Sequence, residues 1–210
     1  KLITKKTKAI SVVHLAGWPV DMDEIMELAR SHNLYVIEDC SQAHGAEINN
    51  RKVGSFGNVA TWSFCQDKII STGGEGGMIT TNDEKIYKKI LSFKDHGKNI
   101  DFLEKKQIQN KFAWVHDGFG SNFRLTEIQA CIGRMQLQLL DHWNYSRAKN
   151  AKIISSELDH LSIIRIPKVP QQIKHAWYKF YCYLNLKYLS SCWSRDRIIE
   201  EINKLGFPCF

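Results

Sequence analysis

Strand-forming and helix-forming segments alternate at the start of this chain, and that order restricts it to folds built on a parallel sheet. Ala9-Ile-Ser-Val-Val-His-Leu15 is a short apolar run rich in β-branched residues, closed by the turn signal Gly17-Trp-Pro19. Asp21 then offers an N-cap with Glu24 placed to complete a capping box, and Ile25, Met26, Leu28 and Ala29 recur at helical spacing through Ser31. A second strand, Leu34-Tyr-Val-Ile37, runs into the acidic pair Glu38-Asp39. Strands joined in this way pair in parallel through a right-handed crossover, so the first strand is expected to be buried and parallel to the second. Asn58-Val-Ala-Thr-Trp-Ser-Phe64 reads as a further buried strand. Gly77-Met-Ile-Thr-Thr81 reads as another, and Asn82 is placed to cap a helix from Asp83 to about Phe93.

From about Lys94 to Ser121 no period is sustained, and a stretch of that length in a compact domain is functional or crosses to a partner. Thr126 caps a helix whose apolar positions Ile128, Cys131, Ile132, Met135, Leu139 and Leu140 follow helical spacing, and helical pattern resumes from about Tyr145 to Leu158. Ser162 to Ile166, Trp177 to Leu184 and a helix at about Ser194 to Leu205 form an α+β set. The expected division is a large α/β domain over 1–145, with 146–210 supplying a linking helix and the first part of a smaller domain. The chain opens without methionine and stops in Gly206-Phe-Pro-Cys-Phe210, which reads as an extended segment, so both ends look cut.

With 210 residues and a hydrophobic fraction of 43%, the chain has the apolar content for a core, though it is short for two complete domains. Its net charge of +7 suits nucleic acid, a membrane surface or a small anionic substrate. The basic residues are scattered apart from Lys1 to Lys8, and that cluster lacks interleaved aromatics or a recognition motif, which argues against nucleic acid. No apolar run approaches the length of a membrane span, and no secretory signal pattern follows Lys1 to Lys8. The 6 cysteines show neither a CxxC pair nor a metal-ligand spacing, so no metal is expected, and reduced thiols in the cytoplasm are the simple reading.

Lys68, in Ser63-Phe-Cys-Gln-Asp-Lys68, lies just past the carboxyl end of a strand, where α/β proteins place ligand sites. A lysine there is reactive chemistry or a solvated loop residue. The run Gly73-Gly-Glu-Gly-Gly77 is not a P-loop, because GxxxxGK[ST] is absent; it lets the backbone turn tightly. Asp39, Gln42 and Ser63 fall at or beside neighbouring strand ends; taken singly they are a turn-capping Asp, a surface Gln and a strand-end Ser. His44 and His96 are substrate contacts or satisfied loop histidines, and His14 belongs to the core or the layer behind the site.

Three motifs in this order, Glu38-Asp-Cys-Ser-Gln-Ala-His-Gly45, then Ser63-Phe with Lys68 and Gly74-Glu-Gly-Gly77, then Asn122-Phe-Arg-Leu-Thr-Glu-Ile-Gln129, resemble the DegT/DnrJ family of nucleotide-sugar aminotransferases. That resemblance implies a fold-type-I pyridoxal-phosphate enzyme: an aspartate-aminotransferase-like α/β domain on a mainly parallel sheet, followed by a smaller α+β domain. It also implies that Lys68 holds pyridoxal 5'-phosphate covalently and then shuttles the proton. Asp39 would pair with the pyridine nitrogen, Gln42 would lie near the ring face and phenolic oxygen, and Ser63 would donate to the phosphate. Asn122 would reach that phosphate across a homodimer, and Arg124 and His96 would meet substrate.

The implied reaction takes an amino group from an amino acid, typically glutamate, to a keto-sugar carried on a nucleoside diphosphate, for surface polysaccharide or glycan synthesis. The same resemblance leaves two other readings. A sugar dehydratase of the family commonly has histidine in place of the lysine, so Lys68 argues against it; a regulatory or inactive homologue on the same fold is the other. The family's amino-terminal portion and the end of its small domain are expected to be missing from this chain, which alone is expected to bind cofactor weakly or not to fold stably.

Overall fold

The structure, a computed structural model, describes residues 2–105 and 115–210. β1 (Ala9–Val13) leaves through a 3-10 turn at Leu15–Gly17 and leads to α1 (Met22–Ser31). β2 (Tyr35–Asp39) returns parallel to β1, with Ala9 opposite Tyr35 and Val13 opposite Asp39. Asp21 caps α1 as expected, accepting the Glu24 N–H at 3.4 Å. Met22 and Ala29 of that helix are buried against Val12 and Val36 of the sheet, with Ile10, Ile25, Met26 and Leu34 packed around them. The expectation that β1 is buried holds on one face only. Within the described chain it is an edge strand, so Val12 points into the core while Val13 is 44% exposed.

A small hairpin follows, β3 (Glu47–Ile48) against β4 (Arg51–Lys52). β5 (Val59–Ser63) then pairs with β2 in parallel, placing Asp39 opposite Thr61. β6 (Gly77–Thr80) runs antiparallel to β5, completing a mainly parallel sheet of order β1-β2-β5-β6. α2 (Glu84–Lys94) is capped by Asp83 rather than by Asn82. The Asp83 carboxylate reaches the N–H groups of Lys85 and Ile86 at 2.8 and 3.0 Å, a geometry open only to the residue directly before the helix. α3 (Ile100–Lys105) occupies part of the stretch that showed no period; residues 106–114 of that stretch lie outside the described residues.

α4 (Glu127–Leu158) opens with a capping box in which Gln129 N–H donates to Thr126 Oγ1 and Thr126 N–H to Gln129 Oε1. It runs as a single helix of 32 residues, where the sequence pattern suggested two stretches. The apolar pattern lapses at Asp141-His-Trp-Asn144, but none of these residues breaks a helix. Asn144 turns inward instead, its Nδ2 donating to the His44 carbonyl at 2.9 Å. Beyond α4 come β7 (Ile164–Arg165), β8 (Ile173–Lys174), β9 (Tyr183–Leu184) and α5 (Arg195–Lys204), the last capped by Ser194. β7 pairs with β9, whereas β8 returns to the early hairpin and pairs antiparallel with β3, Lys174 ion-pairing with Glu47 at 2.9 Å. Among the described residues no helix is long and apolar enough to cross a membrane.

A candidate active site at the ends of β2 and β5

Side chains alternate along a strand, so Glu38 and Asp39 leave β2 on opposite faces. Glu38 is fully buried. Its Oε1 accepts the N–H groups of Phe56 and Gly57 at 2.8 and 2.6 Å; its Oε2 accepts Gly54 N–H at 2.7 Å and His14 Nε2–H at 3.1 Å. Gly54 has φ +82°, and a Cβ there would run into the Trp62 ring, so glycine is required for the loop to fold onto the carboxylate. Burial raises the Glu38 pKa, but the hydrogen bonds from His14, Gly57, Gly54 and Phe56 outweigh it and hold the group below the ordinary carboxylate value. Val20 N–H donates to His14 Nδ1 at 3.0 Å, which puts the His14 proton on Nε2, facing Glu38. His14, Glu38 and Cys40 lie close enough together to resemble a metal site. Four N–H donors use the Glu38 oxygens, backbone N–H takes the His14 lone pair, and burial beside Glu38 and Asp39 pushes the Cys40 thiol up, so the trio is a packing device.

On the other face, Asp39 is half-buried at the end of β2, its Oδ1 accepting Ser41 N–H at 3.0 Å. Ser63 ends β5 on the same side of the sheet, its Oγ accepting Cys65 N–H at 3.3 Å. Gln42 lies in the loop after β2, and its Oε1 accepts Ala16 N–H at 2.7 Å, fastening the turn that follows β1. Lys68 sits in the turn after β5, where its N–H donates to Cys65 O at 3.0 Å. Its side chain is 16% exposed, and Nζ lies 3.2 Å from Asp67 Oδ1 and 3.3 Å from the Tyr178 hydroxyl. His44 is buried against the rings of Trp62 and Phe64, and among the described residues neither ring nitrogen has a partner at good hydrogen-bond geometry, the Ser63 backbone being its nearest polar influence. Burial, opposed by the Ser63 backbone and reinforced by the positive charges of Lys68 and Arg147, lowers its pKa to about 4, which keeps the ring neutral. Asp39, Gln42, Ser63 and Lys68 therefore gather at one end of the sheet, as the sequence indicated.

Asn122, Arg124 and His96 belong to a second cluster. Asn122 is bridged to Asp95 through the backbone, and its Oδ1 accepts Arg124 Nε–H at 3.0 Å. Arg124 also approaches Asp95 Oδ1 at 3.6 Å. His96 is exposed, with φ +62°, and its carbonyl meets His116 Nδ1 at 2.8 Å. No hydrogen bond or ion pair among the described residues joins this cluster to Lys68.

Sequence reasoning passed over Tyr178 and Asp67. Tyr178 is 110 residues beyond Lys68 in the chain and reaches it because residues 175–179 are pinned to the turn after β1. Ala176 N–H donates to Gly17 O at 2.9 Å and Lys179 N–H to Ala16 O at 3.2 Å. The only local signal was the aromatic density of His175-Ala-Trp-Tyr178, where His175 and Trp177 stack with centroids 4.1 Å apart.

The family model described as the DegT/DnrJ/EryC1/StrS aminotransferase family matches residues 1–208. The aminotransferase from Psychrobacter cryohalolentis superposes with a TM-score of 0.94 at 50% identity, covering 99% of this chain and 55% of that one. GDP-perosamine synthase of Escherichia coli O157:H7 is 40% identical over 176 residues, 84% of this chain and 45% of that protein. A UDP-N-acetyl-3-dehydro-alpha-D-glucosamine 3-aminotransferase of Acidithiobacillus ferrooxidans is 38% identical over 185 residues, 88% of this chain and 47% of that protein. The chain thus spans about half the length of the proteins it matches, and its fold is the α/β fold of the fold-type-I aminotransferases.

Proposed function

This chain belongs to the DegT/DnrJ/EryC1/StrS aminotransferase family, and from that premise we propose that the whole protein transfers an amino group from an amino acid, with glutamate as donor, to a keto-sugar on a nucleoside diphosphate. The cofactor is pyridoxal 5'-phosphate, the working unit is a homodimer, and the setting is the cytoplasmic synthesis of surface polysaccharide or glycan precursors. The observation that carries this reading is the placing of the Asp39 carboxylate, the Ser63 hydroxyl and the Lys68 amine at or just past the carboxyl ends of the neighbouring strands β2 and β5. Those are the donor types that an aldehyde, a pyridine nitrogen and a phosphate require, so the residues present fit the cofactor.

Bound pyridoxal phosphate supplies a conjugated electron sink for the carbanion left when the donor loses its α-proton. Lys68 Nζ is the anchoring amine and, once released, the base that removes that proton and the acid that returns it. Asp39 would place a negative charge against the ring nitrogen and keep it protonated, since an opposite charge favours the charged form. Ser63 Oγ–H would donate to the phosphate, and Gln42, its Oε1 already fixed by Ala16 N–H, would lie by the ring. Asn122 would serve the phosphate of the neighbouring subunit. Arg124 takes the donor's carboxylate, exchanging Asp95 for it, and His96 lines the substrate approach.

Adding glutamate to the cofactor-loaded full-length protein is expected to convert the absorbance of the aldehyde form into that of the amine form. In Asp39→Asn the conversion should slow by about 10²-fold, the order seen when one such electrostatic partner is removed. A wild-type protein whose spectrum glutamate leaves unchanged would contradict the aminotransferase reading.

A further inference from the structure

We propose that Asp67 and Tyr178 form a clamp on the Lys68 amine, acting as positioning residues that hold it charged and aimed from one direction. The proposal rests on the reading of Lys68 as the cofactor lysine. Its basis is a closed ring of polar contacts: Lys68 Nζ–H donates to the Tyr178 hydroxyl at 3.3 Å, that hydroxyl donates to Asp67 Oδ2 at 2.6 Å, and Asp67 Oδ1 faces Nζ at 3.2 Å. Each Asp67 oxygen has its own partner, so the carboxylate cannot turn without breaking one of the contacts. Nζ also lies 5.2 Å from the centroid of the Tyr178 ring, which offers it an aromatic surface.

The second partner is delivered by design of the backbone. Trp177, directly before Tyr178, has φ +52°, a costly conformation for a residue with a large side chain. It is held there by Trp177 N–H donating to His175 Nδ1 at 2.7 Å, by the His175 stack, and by the flanking Ala176 and Lys179 bonds to the β1 turn. That turn is fixed in its own right by His14 through Glu38 and by Gln42. A run of hydrogen bonds therefore connects the buried Glu38, through His14 and the β1 turn, to the backbone on either side of Tyr178.

The electrostatics agree with the geometry. Burial lowers the Lys68 pKa, but the hydrogen bonds to Tyr178 and Asp67 exceed it and hold the amine above its ordinary value. The Tyr178 hydroxyl and Lys68 bring Asp67 down to about 2, and burial with the Asp67 hydrogen bond raises Tyr178. Other charged groups facing this cluster are Arg147 of α4, which shares with Lys68 a cavity of about 470 Å³, and Lys179, whose Nζ lies 5.1 Å from the Tyr178 ring. Both are cations and oppose charge on Lys68, and His44 is neutral, so the clamp is what raises the amine above its ordinary value. An amine held in this way is presented in its protonated form, ready to deliver a proton, and must pass that proton on before it can act as a nucleophile.

The test uses the full-length protein without added cofactor, pulse-labelled with limiting acetic anhydride across a range of pH. Labelling at Lys68 is read by peptide mass spectrometry against the exposed Lys5. In Tyr178→Phe, which keeps the ring and removes only the hydroxyl, and in Asp67→Asn, the midpoint of Lys68 labelling should move to lower pH. Midpoints that coincide in all three proteins would overturn the clamp, as would a faster rate with no change in midpoint, which reports access alone. Pyridoxal phosphate uptake by the wild-type protein is recorded beside it. Its failure would count against Lys68 as the cofactor lysine and leave the labelling result intact.

Discussion

Replacing Lys68 by alanine is expected to lower kcat of the full-length enzyme by about 10³-fold or more, because one amine both anchors the cofactor and moves the proton. The loss should come without loss of fold. Nζ meets only the Asp67 and Tyr178 side chains among the described residues, and the Asp67 side chain is 55% exposed, so solvent screens the ion pair and it adds little to stability. Steady-state kinetics and a urea midpoint on the same preparation separate the two effects. A variant as inactive as expected but also unfolded at markedly lower urea would assign Lys68 a structural role instead.

The largest stability effect is expected at Glu38, which touches no substrate. Glu38→Gln preserves shape but presents an NH₂ group where one carboxylate oxygen accepted two N–H donors. Two buried donors lose their partners and the buried network loses its charge, for a cost of about 3–5 kcal/mol. The expected observation is a urea midpoint shifted down with an unchanged slope. The pH dependence carries the same signature. Because the folded-state pKa of Glu38 is depressed, its contribution is fully present above the unfolded value of 4.5 and is lost as pH falls through the folded value. His44 and His175, both lowered to about 4 by burial, act in a higher window, since the unfolded chain takes up their protons first between about 6.5 and 4. Wild type should therefore lose stability in both windows, and Glu38→Gln should lose less than wild type in the lower one, where the depressed Asp67 and Asp95 still titrate. Parallel acid profiles would show that Glu38 is not held as an anion by its four donors.

The parts of this fold that were readable in the sequence are those set by local rules. The β1-α1-β2 unit carried its own period and cap, and Asp21 and Thr126 cap the helices they were expected to cap. The strand-end positions of Asp39, Ser63 and Lys68 followed from the same logic. Non-local pairings were silent. Two-residue strands such as β3 and β8 show no alternation, and their pairing joins residues 47 and 174. Asn144 looked like a lapse in a helix because its partner, the His44 carbonyl, is 100 residues away. Tyr178 was invisible for the same reason: its hydroxyl matters only once the β1 turn has drawn residues 175–179 over Lys68. Alternation along β2 turns Glu38 away from Asp39, but nothing in the sequence around it announced the Gly54 to Gly57 loop that closes on it.

The central claim is that Lys68 is the residue to which the cofactor is joined. It is tested most directly by loading the full-length protein with pyridoxal phosphate, reducing with borohydride, and locating the added mass by peptide sequencing in the mass spectrometer. The expected result is a single modified lysine at position 68, absent when Lys68→Ala is treated in the same way. Modification that falls on other lysines, or that persists unchanged in Lys68→Ala, would contradict it.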